Sequence, residues 1–391
     1  MGGQLTGAMN EIVNELTWVE ISKEALTANI RQFRKLIGKD RILCPCIKAN
    51  AYGHGLIDAG KLYLEAGADW LSVNSLYEAT ALREAGISAP IYILGYVPLA
   101  GLSDVVRLDC RIVIYNRETV DALAAVCADL DKTVQVHLKA ETGNNRQGLA
   151  FDELVHFANY IKNTSDKIEI DGIATHFANI EDTTEHSYAE MQLDRFHKTI
   201  KMLEDAGHYI PVKHCANSAA TLLFPKTYFD MVRPGIATYG MWPSHETLLS
   251  YEKEVGDGFE MHPAFTWKCK IAQVKKIPEG ESIGYGCTFK TTRDTLLAIL
   301  PVGYYDGYDR GVSGGHVLIR GKRAPIRGRV CMNILMVDVS DIPDVATEDE
   351  AILIGRDGTE EISAEKFADW AGTINYEVTT RVNDRIPRIY V

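Results

Sequence analysis

The sequence of 391 residues has little of what marks several common protein classes. No apolar run approaches the roughly 20 residues that a membrane-spanning helix needs, and residues 1–16 lack the cationic and apolar segments of a secretory signal. There is no long basic run, and the net charge of -12 argues against broad nucleic-acid binding, which depends on clustered Lys and Arg. We therefore expect a cytoplasmic protein that binds neither membranes nor nucleic acid.

The sequence also lacks the cysteine spacing of a metal site or a disulfide framework. Its eight cysteines are scattered and contain no CxxC pair. Cys44 and Cys46 are separated only by Pro45, which is too close for zinc-ribbon spacing. Several other cysteines lie in apolar, strand-like runs, so free and mostly buried thiols in a reducing compartment are expected, and no metal site is predicted.

Short strand candidates alternate with amphipathic segments through about the first 240 residues. They are rich in β-branched residues and bounded by Gly, Pro or polar residues, which is typical of strands buried on both faces. Eight such strand–helix units predict a closed (β/α)8 TIM barrel, which takes about 250 residues. The candidates are Ile42–Lys48, Trp70–Val73, Ile91–Gly95, Arg111–Tyr115, Gln135–Ala140, Ile170–Phe177, Lys213–Ser218 and Met231–Ile236.

The pattern changes after about residue 248. Helical periodicity nearly vanishes until Ala364–Ala371, and short strand candidates are separated by Gly, Pro and Asp. This predicts a second, mainly β domain. We therefore expect an α/β protein with a barrel domain at residues 1–248 and a C-terminal β domain at residues 249–391.

The ends of the predicted barrel strands carry reactive side chains, where barrel enzymes place their active sites. Strand one ends in Lys48, and a buried lysine amine is suited to a Schiff-base role, although a strand-end lysine is more often solvated or paired. Ser218 and Gly235 lie at the ends of strands seven and eight, where a hydroxyl and a backbone amide can bind phosphate. A lysine facing a phosphate site fits a phosphorylated aldehyde, so pyridoxal 5'-phosphate is the expected cofactor.

Motifs along nearly the whole chain resemble alanine racemases. IKANAYGHG at residues 47–55 is similar to the cofactor-lysine motif of that family. In order there follow KAETGNNRQG, THFA, HCANSAATLL, VRPGIATYG, GYGCTF, LPVGYYDGY, GRVCMN, INYEV and RIPRIY. The family has a barrel followed by a β domain, and the resemblance implies a pyridoxal-phosphate-dependent racemase that interconverts L-alanine and D-alanine and supplies D-alanine for peptidoglycan.

By this resemblance Lys48 carries the cofactor and is one of two bases. The other is Tyr285, supplied by the partner subunit of a homodimer with shared active sites. Racemisation needs two such groups, one to remove the α-proton and one to return it to the far face. The resemblance places Arg233 against the pyridine nitrogen, which a permanently protonated guanidinium leaves unprotonated. Without the family, Tyr285 reads as a packed strand tyrosine and Arg233 as an ion-pair partner.

The resemblance also assigns binding and supporting residues. Arg146 and the partner's Met332 amide bind the substrate carboxylate, a task for which the planar arginine is better suited than lysine. Lys139 matches a family lysine that is often carbamylated, and His214 braces Arg233. His176 connects that arginine to the catalytic tyrosine, although either histidine fits a core position. The cofactor-binding residues implied in this way are Lys48, Tyr52, His176, Asn217, Ser218, Arg233, Gly235, Ile236 and Tyr376.

One position departs from the family pattern. Asn333 stands where most members have Asp, and loss of that carboxylate could widen specificity towards serine, whereas Tyr376 favours a pocket sized for alanine. A serine or broader-specificity racemase is therefore an alternative. Tyr304, Arg310 and Arg329 resemble residues that restrict access to the pocket.

The alternatives are a decarboxylase, a non-catalytic cofactor carrier and a Schiff-base aldolase. A decarboxylase of similar architecture places a carboxylate on the pyridine nitrogen and has a glycine-rich phosphate loop, so Arg233 and the lack of a Gly-Gly-Gly run argue against it. A non-catalytic cofactor carrier has no need of a β domain. A Schiff-base aldolase differs by lacking the visible absorbance of bound pyridoxal phosphate.

Overall fold

The computed structural model describes residues 15–256, 258–312 and 314–391, so most of the N-terminal stretch considered above lies outside the described residues. The chain divides into two compact units. The barrel unit comprises residues 24–51 and 56–262. The β unit comprises residues 52–55 and 263–391 together with the N-terminal strand Thr17–Ile21. In the described ranges, no helix combines the length and apolarity needed to cross a bilayer.

The strands and helices alternate in the first part of the chain and strands dominate the second. The strands are β1 (Thr17–Ile21), β2 (Ile42–Leu43), β3 (Leu71–Val73), β4 (Ile91–Ile93), β5 (Cys110–Ile114), β6 (Val134–Lys139), β7 (Ile168–Ala174), β8 (Val212–His214), β9 (Met231–Val232), β10 (Phe265–Lys270), β11 (Gln273–Ile277), β12 (Ser282–Ile283), β13 (Phe289–Lys290), β14 (Thr295–Leu300), β15 (His316–Ile319), β16 (Lys322–Pro325), β17 (Leu335–Asp338), β18 (Glu350–Asp357), β19 (Glu360–Ile362) and β20 (Arg388–Tyr390). The α-helices are α1 (Lys23–Ile37), α2 (Leu56–Ala66), α3 (Leu76–Glu84), α4 (Leu102–Arg107), α5 (Arg117–Leu130), α6 (Leu154–Thr164), α7 (Ser187–Asp205), α8 (Ser218–Leu223), α9 (His245–Glu254), α10 (Ala364–Ala371) and α11 (Asn375–Thr380).

The barrel unit contains eight parallel strands, as predicted. Strands β3 to β8 form one parallel sheet in chain order, and β2 pairs with β9. A parallel bridge between Cys46 and Ser72 links the end of β2 to β3. The Asp230 amide donates to the Lys213 carbonyl at 3.1 Å and so links β9 to β8. The strands therefore close into a ring, and their carboxyl ends meet at one edge.

The helices around these strands follow from their sequences. Helix α1 buries one stripe of apolar residues at helical spacing, including Leu26, Ile30 and Phe33. Helix α3 begins with a capping box in which Ser75 accepts from the Glu78 amide and the Glu78 carboxylate accepts from the Ser75 amide. Such local signals made the helices of this region predictable.

The β unit is built on a sheet whose main path has the order β16-β15-β18-β10-β1-β20, with β19 paired to β18. A second sheet has the order β11-β14-β17, and β12 and β13 form a separate pair. Strand β1 pairs antiparallel with β10 and parallel with β20. The start and the end of the described chain therefore share one sheet, and the first strand does not belong to the barrel.

The division between the units lies at residue 262, whereas we expected it after residue 248. Helix α9 crosses the expected boundary; Ser244 caps its start and it buries Thr247, Ser250 and Tyr251. This buried stripe consists of hydroxyl-bearing residues, so no apolar periodicity marks the helix. Beyond the helix, the Asn29 side chain on α1 donates to the His262 carbonyl at 2.9 Å and accepts from the His262 amide at 3.1 Å. These bonds attach the chain to the barrel unit as far as residue 262.

All eight cysteines are free thiols, as expected. Six are buried, Cys287 is exposed and Cys331 is partly buried. Burial raises the pKa of Cys44 to about 12, with desolvation as the main cause. Buried thiols of this kind are unreactive packing residues.

Candidate active site

The carboxyl ends of the barrel strands bring together most of the side chains singled out from the sequence. Lys139 and His214 are the last residues of β6 and β8, and Arg233 follows β9 directly. His176 lies two residues beyond the end of β7, because this strand is shorter than predicted. Burial and, after it, the charges of four cations hold the pKa of His176 well below its usual 6.5; these are Lys139, Arg233, Arg146 and Lys48. Four predicted cationic residues of the barrel unit therefore lie near His176.

Lys48 is partly buried and begins a left-handed turn. Ala49, Asn50, Ala51 and Tyr52 have φ between 52° and 54°, a conformation that costs L-residues roughly 1–2 kcal/mol each. The Glu78 carboxylate accepts from the Ala49 amide at 2.7 Å, and the Asn50 side chain accepts from the Leu56 amide at 2.8 Å. These bonds hold the backbone beside the lysine in a conformation that it would not otherwise keep.

Arg233 is a buried cation, only 7% exposed. Its Nη1 is in close contact with Nδ1 of the fully buried His214, and its Nη2 donates to the Thr175 carbonyl at 3.1 Å. The structure thus places His214 in contact with Arg233. Burial and then the charge of Arg233 keep the pKa of His214 well below its usual value, so this imidazole is neutral at neutral pH.

Lys139 is buried beside two arginines. Desolvation, followed by the charges of Arg233 and Arg146, lowers the pKa of its amine from 10.5 to about 7. The loop after β6 folds back on this lysine, since the Leu149 amide donates to the Lys139 carbonyl at 2.8 Å. Gly148 has φ +132°, and a Cβ there would lie 2.9 Å from the same carbonyl oxygen. Lys139 is therefore an amine with a large neutral fraction at neutral pH.

Hydrogen-bond donors gather where β8 and β9 end. The buried Ser218 hydroxyl accepts from the amides of Gly235 at 2.8 Å and Ala237 at 3.3 Å, which ties the two strand ends together. Helix α8 and the 3-10 turn Ile236–Tyr239 begin here. A hydroxyl and backbone amides at this edge of a barrel fit a phosphate group. Asn217 instead caps α8, accepting from the Ala220 amide at 3.0 Å and donating to Glu181 at 3.3 Å.

The two tyrosines predicted to bind phosphate belong to the β unit and lie close to each other. The ring centroids of Tyr52 and Tyr376 are 6.0 Å apart. Gly53, the next residue after Tyr52, has φ +86°, and a Cβ there would lie 2.1 Å from the Thr379 carbonyl oxygen. Only glycine allows this close approach between residues 52–55 and helix α11.

The predicted second base is exposed at the tip of the β12–β13 hairpin. Tyr285 is 71% exposed and stands between Gly284 and Gly286, both with positive φ. Met332, which is 56% exposed, lies on a neighbouring loop. The Tyr304 amide donates to the carbonyl of Cys331, the residue before Met332, at 3.0 Å. Arg329 approaches the hairpin, because a Cβ on Gly286 would lie 3.3 Å from its Nη1.

Asn333 and Arg310 occupy surface positions of the same unit. The Asn333 amide donates to the Asp306 carboxylate at 3.3 Å, and this carboxylate also accepts from the Gly303 amide at 2.9 Å. The side chain that departs from the family pattern is thus held by a neighbouring acid. Arg310 is exposed.

His137 was missed in the sequence, although it contacts this site. Its Nδ1 lies 2.7 Å from Nε2 of His214, and both rings are fully buried. A signal was present, because residues two apart on a strand share a face and His137 precedes Lys139 by two. The motif that resembles the family begins only at Lys139, so His137 lies outside the residues that carry the resemblance.

Comparisons with known proteins agree on one family. Residues 21–243 match the family model "Alanine racemase, N-terminal domain" and residues 264–390 match "Alanine racemase, C-terminal domain". Among curated proteins, the alanine racemase of Desulforamulus reducens is 40% identical over 97% of this chain and 100% of its own length. That of Methanococcus maripaludis is 39% identical over 97% of this chain and 100% of its own.

Solved structures give the same result. The alanine racemase of Clostridium difficile 630 superposes with a TM-score of 0.91 at 33% identity and covers 97% of this chain and 96% of its own. The Bacillus anthracis enzyme with bound L-Ala-P gives a TM-score of 0.90 at 35% identity, with 96% and 95% covered.

The neutral histidines of the barrel unit predict a loss of stability in acid. His137 and His214 have pKa values below 6.5 in the fold, so below about pH 6.5 the unfolded chain binds protons that the native state does not, and stability is lost as the pH falls. Urea unfolding should show a loss approaching about 1.4 kcal/mol per pH unit for each such histidine. His214→Asn should flatten this dependence, whereas the exposed His156→Asn should retain it; equal slopes in all three proteins would contradict the prediction.

Proposed function

The chain belongs to the alanine racemase family and is an isomerase, and we propose that it interconverts L-alanine and D-alanine with pyridoxal 5'-phosphate attached to Lys48. The observation that carries this proposal is the cluster at the carboxyl ends of the barrel strands, where Lys139, Arg146 and His176 line one cleft and Arg233 contacts His214. The physiological role that we infer is production of D-alanine in the cytoplasm, from where it is supplied to peptidoglycan synthesis.

The donors of the barrel unit suit the cofactor. Ser218, Gly235 and Ile236 would hold its phosphate, with Tyr52 and Tyr376 contributing hydroxyls. Bound pyridoxal phosphate supplies a ring that stabilises negative charge at the α-carbon of an amino acid. Arg233 would face the ring nitrogen; because a guanidinium only donates hydrogen bonds, it keeps that nitrogen unprotonated.

The remaining residues would bind the amino acid and move its proton. Arg146 would bind the carboxylate through two parallel hydrogen bonds, assisted by the Met332 amide of the partner subunit. The Lys48 amine would take or return the α-proton on one face, and the Tyr285 hydroxyl would do so on the other. Each group must be deprotonated when it accepts and protonated when it donates, so the two alternate between directions of the reaction.

We propose that Tyr285 acts in the active site of a second copy of the chain. In the single chain it is 71% exposed, and the same unit also exposes Met332, Tyr304, Tyr305 and Ile334. An apolar surface of this kind is typical of an interface, and a proton-transfer group works best where water is excluded. A homodimer with shared sites would cover this surface and enclose the tyrosine.

Alanine is the substrate that we favour over serine. Tyr376 is retained next to Tyr52, with ring centroids 6.0 Å apart, and Asn333 is bound to Asp306 rather than free to meet a substrate hydroxyl. A serine or broader-specificity racemase is the second candidate, because Asn333 replaces the usual acid.

The proposed function is tested by loading the purified protein with pyridoxal phosphate and measuring D-alanine formed from L-alanine. Borohydride reduction should fix the cofactor on Lys48, which peptide mapping would identify. Lys48→Ala should abolish racemisation, and Tyr285→Phe should lower kcat roughly 10²- to 10⁴-fold, whereas Tyr77→Phe serves as an exposed control. Labelling of a different lysine would refute the assignment, and a higher kcat/KM for serine than for alanine would refute the substrate.

Mixing two inactive variants tests the shared site. Lys48→Ala and Tyr285→Phe chains, exchanged at equal concentration, should form half heterodimers with one intact site each, so about a quarter of the wild-type activity should return. Each variant alone, diluted in the same way, is the control. No recovery despite verified subunit exchange would show that both bases come from one chain.

We propose that Lys139 reacts with carbon dioxide to form a carbamate, in which the amine nitrogen bonds to the carbon and loses a proton. A pKa of about 7 supports this, because only the neutral amine is nucleophilic. The carbamate would place a negative charge between Arg146 and Arg233. Protein equilibrated with ¹³C-bicarbonate should give a carbamate ¹³C signal that is absent in Lys139→Gln; the exposed Lys198→Gln should keep it. Electron density ending at a bare amine would contradict the proposal.

A further inference from the structure

A line of polar contacts runs through the barrel unit away from Arg233. His214 contacts Arg233 through Nδ1 and His137 through Nε2, the latter at 2.7 Å. Nε2 of His137 then lies 3.6 Å from the Asp171 carboxylate, and this carboxylate accepts from Arg111 at 2.9 Å. Arg111 is the second residue of β5. The line therefore leads from the carboxyl ends of the strands towards their amino-terminal ends.

The Arg233 guanidinium at one end and the Asp171 carboxylate at the other determine which ring nitrogen of His214 and of His137 carries a proton. A guanidinium has no acceptor, so Nδ1 of His214 must accept from Arg233 and the proton of that ring must lie on Nε2. Nε2 of His214 then donates to Nδ1 of His137, which leaves the proton of His137 on Nε2, facing the Asp171 carboxylate. Both rings are neutral, and their N–H groups point the same way, from the cation towards the anion. The last contact, 3.6 Å from His137 Nε2 to the Asp171 carboxylate, is electrostatic and longer than a hydrogen bond.

The backbone is altered where His137 and Asp171 meet. In the β6–β7 ladder Val136 pairs with Ile170 but His137 pairs with Gly172, so Asp171 is the extra residue of a β-bulge. A bulge re-aims a side chain that regular alternation would send elsewhere, and here it lets the carboxylate face His137.

Gly172 leaves space for the imidazole ring of His137. A Cβ at this position would lie 2.6 Å from two atoms of the His137 ring, so any other residue would displace the imidazole. The ring of Tyr92 closes the site, with its centroid 4.5 Å from that of His137 and 5.4 Å from that of His214. The pair Asp171–Gly172 thus provides both the carboxylate and the space that His137 needs.

We propose that His137, held by Asp171 and Gly172, is a positioning residue for Arg233 that acts by fixing the tautomer of His214. This inference rests on the proposed function, in which Arg233 faces the cofactor ring. If His137 did not accept from Nε2, the proton of His214 could move to Nδ1. A donor would then oppose the guanidinium, and Arg233 would lose the contact that aims it.

Two substitutions at His137 separate positioning from packing. His137→Asn keeps an acceptor oxygen near the place of Nδ1, whereas His137→Leu fills the site without one. In the holoenzyme, His137→Leu should raise the Kd for pyridoxal phosphate and lower kcat, each roughly tenfold, and should change the visible absorption spectrum of the bound cofactor. His137→Asn should restore the spectrum and most of kcat. Ile112→Val, a buried neighbour on β5, should lower Tm and leave the spectrum unchanged.

The tautomer itself provides a readout independent of activity. Side-chain ¹⁵N NMR of the histidine-labelled holoenzyme should report an unprotonated Nδ1 for His214 in the wild type and in His137→Asn, and a mixture of tautomers in His137→Leu. If His137→Leu does not fold, Asp171→Asn, which keeps the volume of a partly exposed side chain, should change the spectrum and the Kd in the same direction by a smaller factor.

The outcomes that overturn the inference differ from those that overturn the proposed function. A wild-type protein that binds no pyridoxal phosphate would refute both. The positioning role alone would be refuted if the wild type binds the cofactor normally and the variants His137→Leu, His137→Asn and Asp171→Asn all share its absorption spectrum and its His214 tautomer. Equal losses in His137→Asn and His137→Leu would assign His137 to packing.

Discussion

The burial of one permanent cation, Arg233, determines the protonation of the groups around it. A guanidinium cannot lose its proton at any physiological pH, so its neighbours must adapt. Burial is the main cause of the low pKa values of Lys139, His176 and His214, and the charge of Arg233 lowers them further. The donors of Arg233 require an acceptor from His214 and a carbonyl from Thr175. A lysine in its place could be neutralised by burial, and one of the charges that oppose protonation of the neighbouring imidazoles would then be lost.

Closure of the parallel barrel explains why such distant parts of the sequence meet. Each strand is only a few residues long and buried, so its main effect is to set where the following loop begins. Because parallel strands in a ring end at one edge, residues that follow different strands become neighbours whether or not the helices after those strands touch. The reactive side chains at the strand ends are thereby distinct from the apolar side chains that form the core, and a strand end can be changed without repacking that core.

This separation also explains what could be predicted. Buried parallel strands have a strong apolar pattern, so the eight strands, and the reactive residues at their ends such as Lys48 and Arg233, could be found from the sequence. The β-bulge at Asp171 has no such pattern, because it depends on the partner strand, and its partner His137 was therefore overlooked. Helix α9 was missed for a related reason, since its buried stripe is Thr247, Ser250 and Tyr251. Strand β1 could be assigned only through its tertiary partners β10 and β20.

Neither compact unit is a single continuous stretch of chain. The β unit holds the N-terminal strand, residues 52–55 and everything from residue 263 onwards, while the barrel unit holds what lies between. A gene fusion with one junction near residue 262 would therefore combine β10 and β20 of one parent with β1 of the other. Residues 52–55, whose Gly53 backbone fits against Thr379, would likewise come from the wrong parent. Recombination between relatives should succeed only when these three segments are inherited together, which ties the evolution of the two ends of the gene to each other.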